Sequence, residues 1–168
     1  MSSERGNSAI IPCLRYRNAH VAIDWLCEAF GFQRRVVHAD ERVVHHAQLV
    51  FDGGMVMLSS ADSRAIDDRP IESQRQWGQL IVQPDEIGGS ETQVCCVIVR
   101  DPDAHQAIAT AAGAEIVIGI SDQNYGGRGY ACRDIEGHLW WFGSYDPWRD
   151  TDGQALASTS TPTSTSTT

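Results

Sequence analysis

The apolar positions of this chain change period twice, in the same order each time. Ile10–Tyr16 reads as a short strand, and Asn18 is placed to cap a helix. Its apolar residues Val21, Ala22, Trp25, Leu26, Ala29 and Phe30 lie at helical spacing, and Gly31 ends it. Phe32–Ala39, Val43–Phe51 and Met55–Ser60 then read as three strands, with turns at Asp40-Glu41 and Asp52-Gly53-Gly54. The order is βαβββ over residues 9–61. From residue 91 to 149 it returns: Thr92–Val99 as a strand, then a helix opened by Asp101-Pro102-Asp103 that runs through Ala112 and closes at Gly113. Ala114–Ile120, Gly129–Arg133 and His138–Tyr145 supply three more strands.

The two halves share a hairpin signal. When Ala131–Phe142 is laid over Ala47–Leu58, the alanines coincide, Asp52 falls on Glu136, and Gly53 falls on Gly137. An acidic-Gly pair between apolar runs suits a tight hairpin, because glycine accepts the positive φ that the turn requires. Such self-similarity at one long offset points to a duplicated module. Residues 62–90 are charged and turn-rich and are expected to be a connector, with Gly78–Val82 able to form a short strand. Residues 1–8 are expected to be flexible. The Ser/Thr-rich segment 150–168 has too little apolar surface to order itself.

Composition narrows the function. The 168 residues carry a formal net charge of −9, which argues against a nucleic-acid footprint. No apolar run approaches the roughly 20 residues that span a bilayer, and the polar start lacks the core of a signal peptide. All 13 basic residues are arginine, so lysine chemistry is excluded. The five cysteines form no CxxC pair and are odd in number, so a reducing cytoplasm is the expected compartment.

Four stretches carry a resemblance to the vicinal oxygen chelate superfamily, which includes glyoxalase I, extradiol dioxygenases, fosfomycin-resistance enzymes and bleomycin-binding proteins. They are Pro12-x-Leu14-x-Tyr16 with the helix ending Ala29-Phe-Gly-Phe32; Val97-x-Val99-x-Asp101-Pro-Asp-Ala-His105; Ala111-Ala-Gly-Ala114; and Tyr125-Gly-Gly-Arg128 followed by Asp134-x-Glu-Gly-His-Leu-Trp140. The last is the most specific, and it is similar to an uncharacterised glyoxalase-like branch. The resemblance implies an α+β fold of two βαβββ modules, whose mixed sheets curl into an open barrel with the helices outside. It also implies a homodimer. Metal-binding members hold a divalent cation on the first and last strand of each module. At the matching positions this chain has Ile11, Met57, Val94 and Trp141, none of which suits such a cation. No metal and no other cofactor are therefore expected.

Strand alternation then nominates the cavity. Cys13, Arg15, His45, Met57, Cys96, Arg133 and Trp141 are expected on its wall, with Tyr125 and Arg128 at its mouth. The assumed pairing puts Ala131 opposite Trp141, Ala47 opposite Met57 and His45 opposite Ser59. Each residue also has a plainer reading. Trp141 would fill the barrel. Arg15 and Arg133 would pair with acids, and Arg128 would pack under Tyr125 or pair with Asp122. Tyr125-Gly-Gly-Arg128 would be a structural turn. His45 and His46 are adjacent on one strand, so they point to opposite faces and cannot chelate one ion without distortion. His138 reads as a turn or packing residue, His20 and His105 as solvated, and Trp77 with Gln79 as a lid.

Three functions compete. The first is metal-free binding of a small aromatic or hydrophobic molecule, in the manner of bleomycin-binding proteins. The second is a divalent-metal lyase, isomerase or transferase with non-standard ligands, such as His45 with Glu91 or Asp122. The third is metal-free acid/base chemistry at His45 or Tyr125.

Overall fold

A computed structural model describes residues 8–61 and 80–149. The expectations for residues 1–7, the Trp77–Gln79 lid and the 150–168 tail lie outside the described residues. The first module runs β1 (Cys13–Tyr16), α1 (Ala19–Phe30), β2 (Gln33–Ala39), β3 (Val44–Phe51) and β4 (Gly54–Ser60). The second runs β5 (Cys95–Ile98), α2 (Pro102–Ala111), β6 (Glu115–Asp122), β7 (Arg128–Arg133) and β8 (Leu139–Gly143). A 3-10 turn over Pro84–Ile87 stands between them, and residues 80–82 form no strand.

The predicted punctuation accounts for both helices. The Asn18 side chain accepts from Val21 N, and Gly31 closes α1 in the left-handed region at φ 78°. Asp101 caps α2 by accepting from Ala104 N, with Pro102 in the first turn. Each module is a four-stranded sheet, in the order β1-β4-β3-β2 and β5-β8-β7-β6. The first and last strands of a module pair in parallel, and the other pairs are antiparallel. The sheets do not close. The architecture is α+β, two modules of one topology.

One apolar core serves both modules. Phe30, at the end of α1, meets Trp25 of its own helix, His105 of α2, and Trp140 and Phe142 of β8. Tyr16, Leu26, Phe30, Leu49, Tyr130, Cys132, Trp140 and Phe142 are fully buried. Burial of one such aromatic is worth roughly 1.5–3 kcal/mol.

Polar groups tie the modules at two places. His105 is not solvated: Nδ1 lies 2.7 Å from Tyr130 Oη, and Nε2 lies 3.2 Å from the carbonyl of Phe30. It therefore satisfies an orphan carbonyl at the end of α1. The second tie is the β7–β8 hairpin. Buried Asp134 accepts from Tyr16 Oη at 2.6 Å and from Trp140 Nε1 at 3.0 Å through Oδ2. Its Oδ1 accepts from the backbone N–H of Glu136 and of His138. Glu136 in turn accepts from the backbone N–H of Arg17 and Asn18. His138 is a packing residue, with Nε2 on the Arg15 carbonyl and Nδ1 on Glu91. The acidic-Gly-His motif is thus the joint between modules.

Candidate functional site

Alternation leaves one face of each sheet away from the core, and strand register matches the two faces residue by residue. Cys13 lies beside Met57, and Cys96 beside Trp141. On the other flank Gln48 pairs with Met57, and Ala131 with Trp141. The second hairpin therefore has the anticipated register, with Arg133 opposite Leu139. The first does not: Ala47 pairs with Leu58, and Gln48 takes the place opposite Met57. The cause is turn length. Phe51 pairs with Gly54, so only Asp52 and Gly53 turn the chain, both at positive φ, as a two-residue primed turn requires. The second hairpin spends one residue more. Upstream of the first turn every face is therefore exchanged relative to the overlay of the two halves. His46 and Gln48 join the open face, and Ala47 joins the core.

Trp141 dominates the second open face. It lies over a floor without β-carbons, where Gly129 pairs with Gly143. A methyl at Gly129 would sit 2.8 Å from indole Cζ2, and one at Gly143 would sit 3.0 Å from Nε1. The two glycines let the ring lie close against the sheet. It is half-buried. Register sets Cys96 and Ala131 beside it, with Ile118 beyond Ala131, while Leu139 and Arg133 pair further along the same face, so this half is mostly apolar.

The first open face forms a cleft of about 480 Å³, lined by Ile11, Arg35, Gln48, Val50, Met55 and Met57 among others. Two bulges shape its surroundings. Arg34 pairs with Leu49 and Val36 with Gln48, which leaves Arg35 as the extra residue of β2. His38 pairs with His46 and Ala39 with Val44, which leaves His45 as the extra residue of β3. Bulges re-aim side chains. Arg35 enters the cleft, whereas His45 turns to Asp40, with Nε2 3.1 Å from Oδ2.

The other nominated groups have identifiable partners. Arg15 is buried, donates to the carbonyls of Ser60 and Ala61, and leaves Nε without a partner; burial lowers its pKa. Arg133 donates to the carbonyl of Gly137. Arg128 bonds Asp103 through two nitrogens and Asp122 through a third, and these acceptors raise its pKa. Tyr125 is exposed and meets Tyr145 edge-on. A β-carbon at Gly127 would stand 2.6 Å from Tyr145 N, so the loop's glycine is required by packing. Cys13 and Cys96 are exposed free thiols at matched positions. Sequence reading missed Arg35, because a bulge formed without glycine leaves no pattern, and Gln48, because the first turn is one residue shorter than the overlay assumes.

The resemblance implies metal ligands at four positions of these strands and their flanks. Ile11, Met57, Val94 and Trp141 offer two hydrocarbons, a thioether and an indole. None is a donor for a hard divalent cation. The matched neighbours add only Cys13, Cys96 and Gln48. His38 and His46 stack with ring centres 6.4 Å apart. No group of three or more His, Cys, Asp or Glu is arranged to hold an ion among the described residues. The donor set does not fit the family's metal. Among the described residues, no helix is long and apolar enough to cross a membrane.

Comparison with known proteins agrees with the topology. The profile of the Glyoxalase/Bleomycin resistance protein/Dioxygenase superfamily matches residues 10–142. An uncharacterised protein of Mycobacterium bovis is 32% identical over 137 residues, covering 80% of this chain and 82% of the relative. Among solved structures, TioX from Micromonospora sp. ML1 is 31% identical with a TM-score of 0.59, covering 82% of this chain and 98% of TioX. A glyoxalase-related enzyme from Fulvimarina pelagi, at 13% identity, shares the fold with a TM-score of 0.55 over 81% of this chain and 88% of its own. With two βαβββ modules, an open face on each and a family match across both, this chain belongs to the Glyoxalase/Bleomycin resistance protein/Dioxygenase superfamily.

Proposed function

We propose that this protein binds a small aromatic or hydrophobic molecule in the cup formed by its open sheet faces, without the divalent metal used by many relatives. The observation that carries the reading is the indole of Trp141 bedded on the Gly129–Gly143 pair. A half-exposed indole held close against a sheet is a surface for stacking, worth about 0.5–1.5 kcal/mol beyond area burial for an aromatic partner. Met57 supplies a soft, adaptable apolar contact at the matched place in the other module. Apolar walls with a few polar groups are the usual composition of a small-molecule pocket.

The working form is a homodimer in the cytoplasm, with a second copy completing the cup. Val94, Val117 and Ile118 are large apolar groups left exposed beside it, which supports a covered face. The metal-dependent reading needs donors beyond those the described residues bring to the cup.

The experiment is tryptophan quenching by planar aromatic compounds, with elemental analysis of the purified protein alongside. Trp141→Ala is expected to remove most of the quench while leaving thermal stability nearly unchanged. An undiminished response in that variant would overturn the reading. So would one divalent ion per chain whose chelation abolishes binding.

A further inference from the structure

The open cleft of the first module holds a cation, Arg35, that no described residue neutralises. Arg15 donates to main-chain carbonyls, Arg17 pairs with Asp85 and Glu86, and Arg34 pairs with Asp24. Arg128 is held by two aspartates, Arg133 by a carbonyl and Arg149 by Asp146. Arg35, like Arg42 and Arg100, makes no side-chain ion pair or hydrogen bond with another described residue, and of these three it is the one that lines the cleft. It is the extra residue of a bulge, and it lines the cleft with Gln48, Met55 and Met57.

The duplication supplies an internal control. Gln48 matches Ala131 and Met57 matches Trp141 in register, so the bulge residue between Ile116 and Ile118, Val117, is the counterpart of Arg35. The same backbone device therefore accepts an aliphatic group in one module, and packing does not call for a guanidinium in the other. A chain of net charge −9 has no general attraction for anions, so an arginine set among methionines with no described acid beside it is a local feature of this cleft.

We infer that Arg35, with Gln48 beside it, is the anion-holding group of the cup, and that the ligand is an amphiphile: an apolar or aromatic body bearing one acidic group. The guanidinium fork takes a carboxylate or sulfonate through two hydrogen bonds, and the Gln48 amide can add a third. The body then lies on the methionine floor. This rests on the aromatic-binding reading above and narrows its ligand class.

The test uses the full chain and two dyes that differ by one group, anilinonaphthalenesulfonate and its uncharged parent phenylnaphthylamine. The sulfonate is expected to bind about ten-fold tighter at low salt, as one charge-assisted contact implies. The preference should shrink with added salt. Arg35→Gln is expected to abolish it while leaving the affinity for the neutral dye and the melting temperature unchanged. Arg35→Lys should retain part of it. Equal binding of the two dyes, or a preference unmoved by Arg35→Gln, overturns this inference and leaves the pocket standing. Equal loss of both dyes in Arg35→Gln also overturns it, because the side chain is then only a wall. Binding of neither dye to the parent protein defeats the aromatic-binding reading as well.

Discussion

Asp134 carries the tie between the modules, and replacing it with alanine tests how much that tie is worth. The residue is 6% exposed, and its carboxylate accepts four hydrogen bonds. Two donors are at the hairpin, the part-buried backbone N–H of Glu136 and the buried one of His138. The other two, Tyr16 Oη and Trp140 Nε1, sit on residues with 0% exposure and cannot reach water once the carboxylate is gone. Leaving a buried donor unpaired costs about 1–3 kcal/mol. Asp134→Ala is therefore expected to lose roughly 2–6 kcal/mol. In a chain of this size that lowers the melting temperature by about 4–24 °C. Urea denaturation followed by circular dichroism gives the free energy, and Tyr16→Phe completes a double-mutant cycle. Removing the hydroxyl should cost stability in the parent and nothing, or less than nothing, once Asp134 is gone. A loss under about 1 kcal/mol, or a Tyr16→Phe cost equal in both backgrounds, would refute the account.

Two further outcomes follow from the geometry. Gly143→Ala places a methyl 3.0 Å from indole Nε1 and should tilt Trp141 off the sheet, weakening aromatic ligands about two- to ten-fold in a quenching titration; unchanged affinity would mean the ring does not need its bed. Burial lowers the pKa of His105 below 6.5, so the unfolded chain binds the extra proton first as pH falls. Stability from this group is complete above about pH 6.5 and is lost as pH drops through that value toward the lower folded pKa. His105→Gln should flatten that segment of the urea-midpoint profile, and an identical slope in the variant would count against the linkage.

Much of the architecture was legible because its signals are local. Asn18, Gly31, Asp101 and Pro102 mark helix ends through contacts within a few residues, and the same chemistry appears in the structure. Fold and module order follow from the repetition of those signals. The faces of β3 were not legible, since one residue fewer in the Asp52-Gly53 turn moves Gln48 to the place assigned to Ala47. Nor did sequence betray that Arg35 and His45 are bulge residues, because ordinary side chains tolerate that backbone. Arg128 shows a third limit. Asp122 lies close by in sequence and is an expected partner, but Asp103 comes from the start of α2, which only the fold brings near. The glycine pair under Trp141 was invisible for a similar reason: each glycine reads as turn or strand filler until register sets them side by side.

The placement of Phe30 also decides whether the halves can live apart. Its ring belongs by covalent chain to the first half and by neighbours to the second, where it touches Trp140 and Phe142. A fragment ending near residue 61 would present that ring to water, and a fragment starting near residue 91 would have an unfilled socket. Cutting the gene between them is thus expected to yield two sticky pieces instead of two small proteins. Any exchange of halves between copies has to happen before this aromatic lock closes.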